Sequence, residues 1–174
     1  LPLAGLLLAP KSSMAVLPLV AMLLGAALAT FPASFLLDTF GRRASFALGA
    51  SHGLAGGCLM AWSLAAHQFY PLLLGAFWMG VAQGFSLFYR HEAAIGSSRG
   101  EKLVAIAIVF GAGSLAGLVG PGLAEVAERL APGLYVGTAL LAAAAQFATL
   151  VFAAATSRPV SYTHLRAHET GRNL

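Results

Sequence analysis

Five apolar runs, each about as long as the roughly 20 helical residues needed to cross a bilayer's hydrocarbon core, constrain this chain more than any other feature. They cover Met14 to Leu37, Ala44 to Ala66, Phe69 to Tyr89, Leu103 to Ala124 and Leu134 to Ala155. Ahead of them LPLAGLLLAP, Leu1 to Pro10, is apolar but too short to span. It lacks the initiator Met and basic n-region of a signal peptide, and reads as the end of a helix whose beginning is missing. The expected fold is therefore all-α: a polytopic transmembrane helix bundle over residues 1–159, with five complete spans after a truncated first helix.

The chain has 174 residues, of which 59% are hydrophobic and 9% charged. Ten basic and six acidic residues cannot clothe a water-facing surface of that size, so lipid is the expected covering. The formal charge of +4 sits on single or paired basic residues between apolar runs rather than on a stripe, which excludes nucleic acid as a partner. A single cysteine, Cys58, excludes an intrachain disulfide framework and a multi-cysteine metal site, and reads as a small core residue. No Gly-rich loop ending in Gly-Lys-Ser/Thr is present, and neither cofactor nor metal is expected.

Counting the stub as the first helix, the breaks after the second and fourth helices carry Arg42, Arg43, Arg90, Arg99 and Lys102, and Arg158 follows the sixth. The opposite side carries Lys11 and Arg129. The positive-inside rule then places the richer side, and the N-terminus with it, in the cytoplasm of a multi-pass protein of the inner (plasma) membrane. Small residues recur four apart at Gly49, Gly53 and Gly57, at Gly80 and Gly84, and at Gly113 and Gly117. Such faces allow close helix contact in lipid and predict a compact bundle.

Between the second and third helices stands SFLLDTFGRRASF. Leu36, Asp38, Gly41, Arg42 and Arg43 in a short cytoplasmic break resemble the signature loop of the major facilitator superfamily, Gly-x-Leu-x-Asp-Arg-x-Gly-Arg-Arg/Lys. Ser34 replaces the usual Gly and Thr39 the usual Arg. In the fifth helix GSLAGLVGPG, with Gly117, Gly120 and Pro121 after Gly113, resembles the Gly-Pro motif of proton-coupled exporters in that family. Ala76 stands where the fourth helix often carries an Arg, which speaks against proton antiport.

The resemblance covers Leu1 to Ala155 and implies the first six-helix half of a twelve-helix secondary carrier, whose cavity forms against a missing C-terminal half of the same chain. Its partners would be the lipid bilayer, that second half and a small-molecule substrate moved by alternating access. Half a carrier is not expected to transport.

The resemblance also implies a gating network. Asp38 ends the second helix, where the helix dipole disfavours a carboxylate, and it calls for a cationic partner. Arg42, with Glu92 of FYRHEAA in reach of its fork, completes an Asp38, Arg42, Glu92 network that closes the cytoplasmic side; alternatively Arg42 and Arg43 serve only as topology determinants.

Polar groups at membrane depth are candidates by default. Gln83, on the helix that lines the family's cavity, either bonds a solute or bridges helices. Tyr89 and Arg90 lie at the inner mouth, where they meet an anionic or aromatic solute or anchor the interface. Gln146 stands lower, on a helix that is peripheral in the family. His52 is either a hydrogen-bonded structural histidine or a proton site.

Two rival readings exist. An intramembrane serine protease would pair Ser114 with His52, but Ala112 and Ala116 occupy the Gly places of Gly-x-Ser-x-Gly, so no enzyme is expected. A non-transporting membrane scaffold leaves DTFGRR unexplained. The polar tail VSYTHLRAHET, Val160 to Thr170, is encoded throughout by a continuous string resembling the transposase-end adapter of sequencing libraries. Residues 160–174 are therefore read as non-native, and His164, His168 and Glu169 as no metal site.

Overall fold

The computed structural model describes residues 1–95, 101–131, 133 and 135–155, and the side-chain surroundings there except at positions 42, 89–95, 101, 102 and 105. The adapter-like tail lies outside these residues. Every described element is helical: α1 (Pro2–Leu8), a 3-10 turn (Ser12–Met14), α2 (Leu17–Ala65), α3 (Phe69–Ile95), α4 (Glu101–Leu130) and α5 (Val136–Ala155). Proline opens both α1 and α2, where the first backbone N–H groups have no helical acceptor and the fixed φ suits entry.

The second and third helices expected from sequence are the two arms of α2, which breaks at Gly41 with φ 77° and ψ 172°. The direction of the arms follows from their contacts with α3. In the first arm Met22 approaches Gly80, Gly25 approaches Phe77 and Val81, and Ala26 and Ala29 approach Gly84, so residue numbers rise together and the pair is parallel. In the second arm Gly49 meets Phe85 while Gly56 meets Gly75 and Met79, so the order runs antiparallel. The chain therefore reverses at Gly41. Ser45, buried at the start of the second arm, donates its hydroxyl to the Gly41 carbonyl at 3.1 Å.

The second arm ends in a Schellman cap: Gln68 N–H donates to Ser63 O at 2.8 Å and His67 N–H to Leu64 O at 3.3 Å. His67, with φ 53°, takes the left-handed place that glycine usually fills. Helix α5 then packs on the same arm, Gly53 against Gln146 and Gly57 against Ala143, with Ala61 and Ala139 in one buried cluster. These pairs again run antiparallel, which leaves α3 and α5 parallel to one another. Ala4 of α1, Leu64 and Leu72 complete that cluster, while Ala29, Ala33 and Phe85 form a second between the first arm and α3.

Four stretches are long and apolar enough to cross a membrane: Ser12–Gly41, Phe69–Phe88, Ile106–Leu130 and Val136–Ala155. The second arm, expected as a fifth over Ala44 to Ala66, is not among them. Ser51, His52, Ser63 and its glycines dilute its apolarity, and it packs against both α3 and α5, so less of its surface needs to suit lipid. Outward-facing Phe31, Phe35, Leu118 and Phe152 give the bundle an apolar exterior that water would penalise and lipid covers. The chain is thus a helical membrane protein.

The Glu128 side chain ties the end of α4 to the start of α5. Thr138, in the first turn of α5, donates its backbone N–H and its hydroxyl to Glu128 Oε1, each at 2.7 Å. A carboxylate there satisfies an orphan donor and complements the helix dipole. Glu128→Ala is expected to cost about 1 kcal/mol, the usual loss of an N-cap, and to speed amide exchange in the first turn of α5, with Glu128→Gln intermediate. Equal exchange in all three proteins would refute this role. The neighbouring Arg129–Glu125 pair, at 2.6 Å, is solvent-exposed on both sides and contributes little.

Candidate functional site

Polar side chains inside these helices mostly bond to their own backbone. Thr30 donates to Ala26 O at 2.9 Å, Thr39 to Phe35 O at 2.8 Å and Ser63 to Leu59 O at 2.6 Å. Such bonds hide hydroxyls from lipid without recruiting a neighbour. His52 behaves likewise: Nδ1 lies 2.9 Å from Leu48 O, and because a carbonyl only accepts, Nδ1 carries the proton there. Ser114 is exposed on α4.

Gln83 and Gln146 are among the exceptions. Neither amide has a hydrogen-bond partner among the described residues, and both line one cavity of about 260 Å³ between the parallel helices α3 and α5. Met79, Ala82 and Ser86 continue the α3 wall, and Thr149 the α5 wall. The α3 residues fall at spacings of three, one and three, a single helical face. Gln146 and Thr149 are likewise three apart.

Gly53 sets the position of Gln146. A methyl group on Gly53 would lie 2.5 Å from Gln146 Cδ and 2.8 Å from its Oε1, so any side chain there would push the amide aside. Ser86 donates to Gln83 O at 2.7 Å and Thr149 to Ala145 O at 3.0 Å, which leaves both hydroxyl oxygens able to accept. The cavity thus offers amide donors, amide acceptors and hydroxyl acceptors, and none of its described lining residues is charged.

At the α2 reversal Asp38 is exposed, Gly41 occupies the break and Arg43 is exposed. The side chains of Arg42 and Glu92, like those of Tyr89 and Arg90, lie outside the described surroundings. Along α4, Gly113, Gly117 and Gly120 meet no atom within 4 Å of an added Cβ, and Pro121 lies inside the helix. Of the solute candidates named from sequence, Gln83 lines the cavity, together with Gln146, which ranked low. The i, i+3, i+4, i+7 pattern of Met79, Ala82, Gln83 and Ser86 marked that face, but nothing local marked its partner.

No protein-family model matches the chain, and no solved structure matches it. It is similar to the riboflavin transporter RfnT of Brucella anthropi, at 35% identity over 121 residues. The alignment covers 70% of this chain and 30% of that protein, so the chain spans about 30% of its relative's length.

Proposed function

We propose that this chain is the N-terminal helical half of a secondary carrier of the major facilitator superfamily, which moves a small solute of the flavin class by alternating access. The similarity to a riboflavin transporter over 121 residues is the observation that carries this reading. The apolar bundle agrees with it, as does the glycine-hinged reversal between the two arms of α2, which carries Asp38 and Arg43 on either side of Gly41. That reversal lies on the cytoplasmic side in this proposal, and the substrate cavity forms against a second half. An ion gradient supplies the driving force.

The test is uptake of labelled riboflavin by the complete gene product in a riboflavin-requiring host that lacks its own uptake system. Saturable, uncoupler-sensitive uptake is expected. Asp38→Asn, which removes the carboxylate of the gating network while keeping its shape, should lower the uptake rate about tenfold or more, comparable to losing a hydrogen bond to a charged group, with membrane insertion intact. Absence of uptake in the unaltered protein would refute the transport reading. Unchanged uptake in Asp38→Asn would refute the gating role alone.

A further inference from the structure

We propose that Trp62, Tyr70 and Tyr135 form a collar that binds the boundary between lipid headgroups and hydrocarbon, at the end of the bundle opposite the Gly41 reversal. The partner is the ester and phosphate layer of a phospholipid bilayer. The collar holds whether or not the transport reading does.

The three aromatics belong to three different stretches of chain, yet packing brings them to one level. In the second arm of α2, Gly56 and Met60 both lie against Gly75, so Trp62 falls within about a helical turn of Tyr70 at the start of α3. On the other side Gly57 meets Ala143, and Ala61 shares a buried cluster with Ala139, so Trp62 also falls within about a turn of Tyr135 at the start of α5. All three rings are exposed, and neither the Trp62 indole N–H nor the hydroxyl of Tyr70 or Tyr135 has a hydrogen-bond partner among the described residues. Such a ring loses its polar bond in hydrocarbon and exposes its apolar body in water. The lipid ester layer satisfies both ends at once.

Length supports the same assignment from the other end of the arm. Arg43 is exposed next to the reversal, and at about 1.5 Å per residue the arm rises about 28 Å from Arg43 to Trp62, close to the roughly 30 Å of a hydrocarbon core. A cation at one boundary and an indole at the other therefore bracket one membrane thickness. The second arm then crosses the bilayer although its composition alone does not mark it as a span. Its outward face agrees: Leu48, Ala55 and Cys58, on the side of Trp62, are exposed and uncharged, while Gly53, Gly56 and Gly57 turn toward α3 and α5. Ser51 keeps its hydroxyl on Leu48 O at 2.7 Å. Ala66, His67 and Gln68, all exposed, fall beyond the collar among the headgroups.

The experiment places the complete gene product in phosphatidylcholine vesicles whose acyl chains carry bromine near the ester, midway along the chain or near the bilayer midplane. Bromine quenches indole fluorescence on contact, and every tryptophan except Trp62, or except Trp78, is replaced by phenylalanine. Trp62 should be quenched most by the bromines near the ester. Trp78, whose Cβ packs over Gly56, lies about 9 Å deeper along the arm, and its maximum should shift toward the midplane bromines. Strongest quenching of Trp62 by the midplane bromines, or none at all because protein covers the ring, overturns the collar. Thiol labelling tests the same boundary without touching the aromatics, in a protein with no other cysteine. Cys58 is exposed on the face of Trp62, one turn inside the collar, and should resist a membrane-impermeant maleimide supplied on both sides of the vesicle. Ala66→Cys, one turn outside, should react fully. Labelling of Cys58 as complete as that of Ala66→Cys overturns the collar as well.

Discussion

Gly41→Ala should abolish most of the correctly folded protein, although no atom lies within 4 Å of the added methyl. The cost is conformational. Gly41 holds φ 77° and ψ 172°, a region that is essentially closed to residues with a Cβ and costs them about 1–3 kcal/mol. The easy escape is a return to helical angles. At about 1.5 Å per residue, that would merge the 49 residues of α2 into a rod more than twice as long as a bilayer core is thick. Both arms would then lose their packing on α3. Single cysteines placed near each end of α2 report the outcome through labelling with a membrane-impermeant reagent: in the native hairpin the two ends are labelled from the same side. Preserved labelling and full yield in Gly41→Ala would show that the reversal does not depend on this dihedral. Gly122→Ala, in α4 and likewise free of neighbours, is the control expected to remain folded.

Features that depend on one helix at a time were legible in the sequence. Run length and apolarity located the spans, and the polar break DTFGRR marked the reversal that Gly41 makes. His67 shows where local reading ends, since a left-handed histidine closes α2 without the glycine that usually signals such a cap. The cavity required more than local information. Gln83 stood out as an amide in an apolar helix, but its facing partner is set by how α3 and α5 each rotate against the second arm of α2. Gln146 lies over Gly53, where a side chain would push it aside. Family resemblance ranked Gln146 low as a residue of a peripheral helix; a glycine on the opposing arm outweighs that argument. The Asp38, Arg42, Glu92 network lies partly outside the described surroundings and stays within the proposal.

The same register argument predicts opposite signs for glycine substitutions that look identical in sequence. Gly80 and Gly84 repeat at four residues on α3, and Gly113 and Gly117 repeat at four on α4. A Cβ at Gly80 would run into the Met22 backbone, and one at Gly84 would stand 2.7 Å from Ala26 O, so both mark the crossing of α3 with the first arm of α2. Gly80→Ala must push two helix backbones apart, and a cost of about 1–3 kcal/mol is expected from overpacking, beyond any gain in helix propensity. At Gly117 nothing opposes the methyl, and alanine is the better helix former by about 1 kcal/mol, so Gly117→Ala should be neutral or stabilising. Unfolding midpoints of this chain in detergent titrated with dodecyl sulfate separate the two outcomes. If Gly117→Ala destabilises as much as Gly80→Ala, the α4 face is already in tight contact, and spacing rather than observed crossing governs the cost. If the signs differ as expected in the isolated chain, the measurement is repeated in the complete gene product. Under the proposed two-half architecture a second half seated on α4 turns Gly117→Ala destabilising there, while Gly80→Ala keeps its penalty in both contexts.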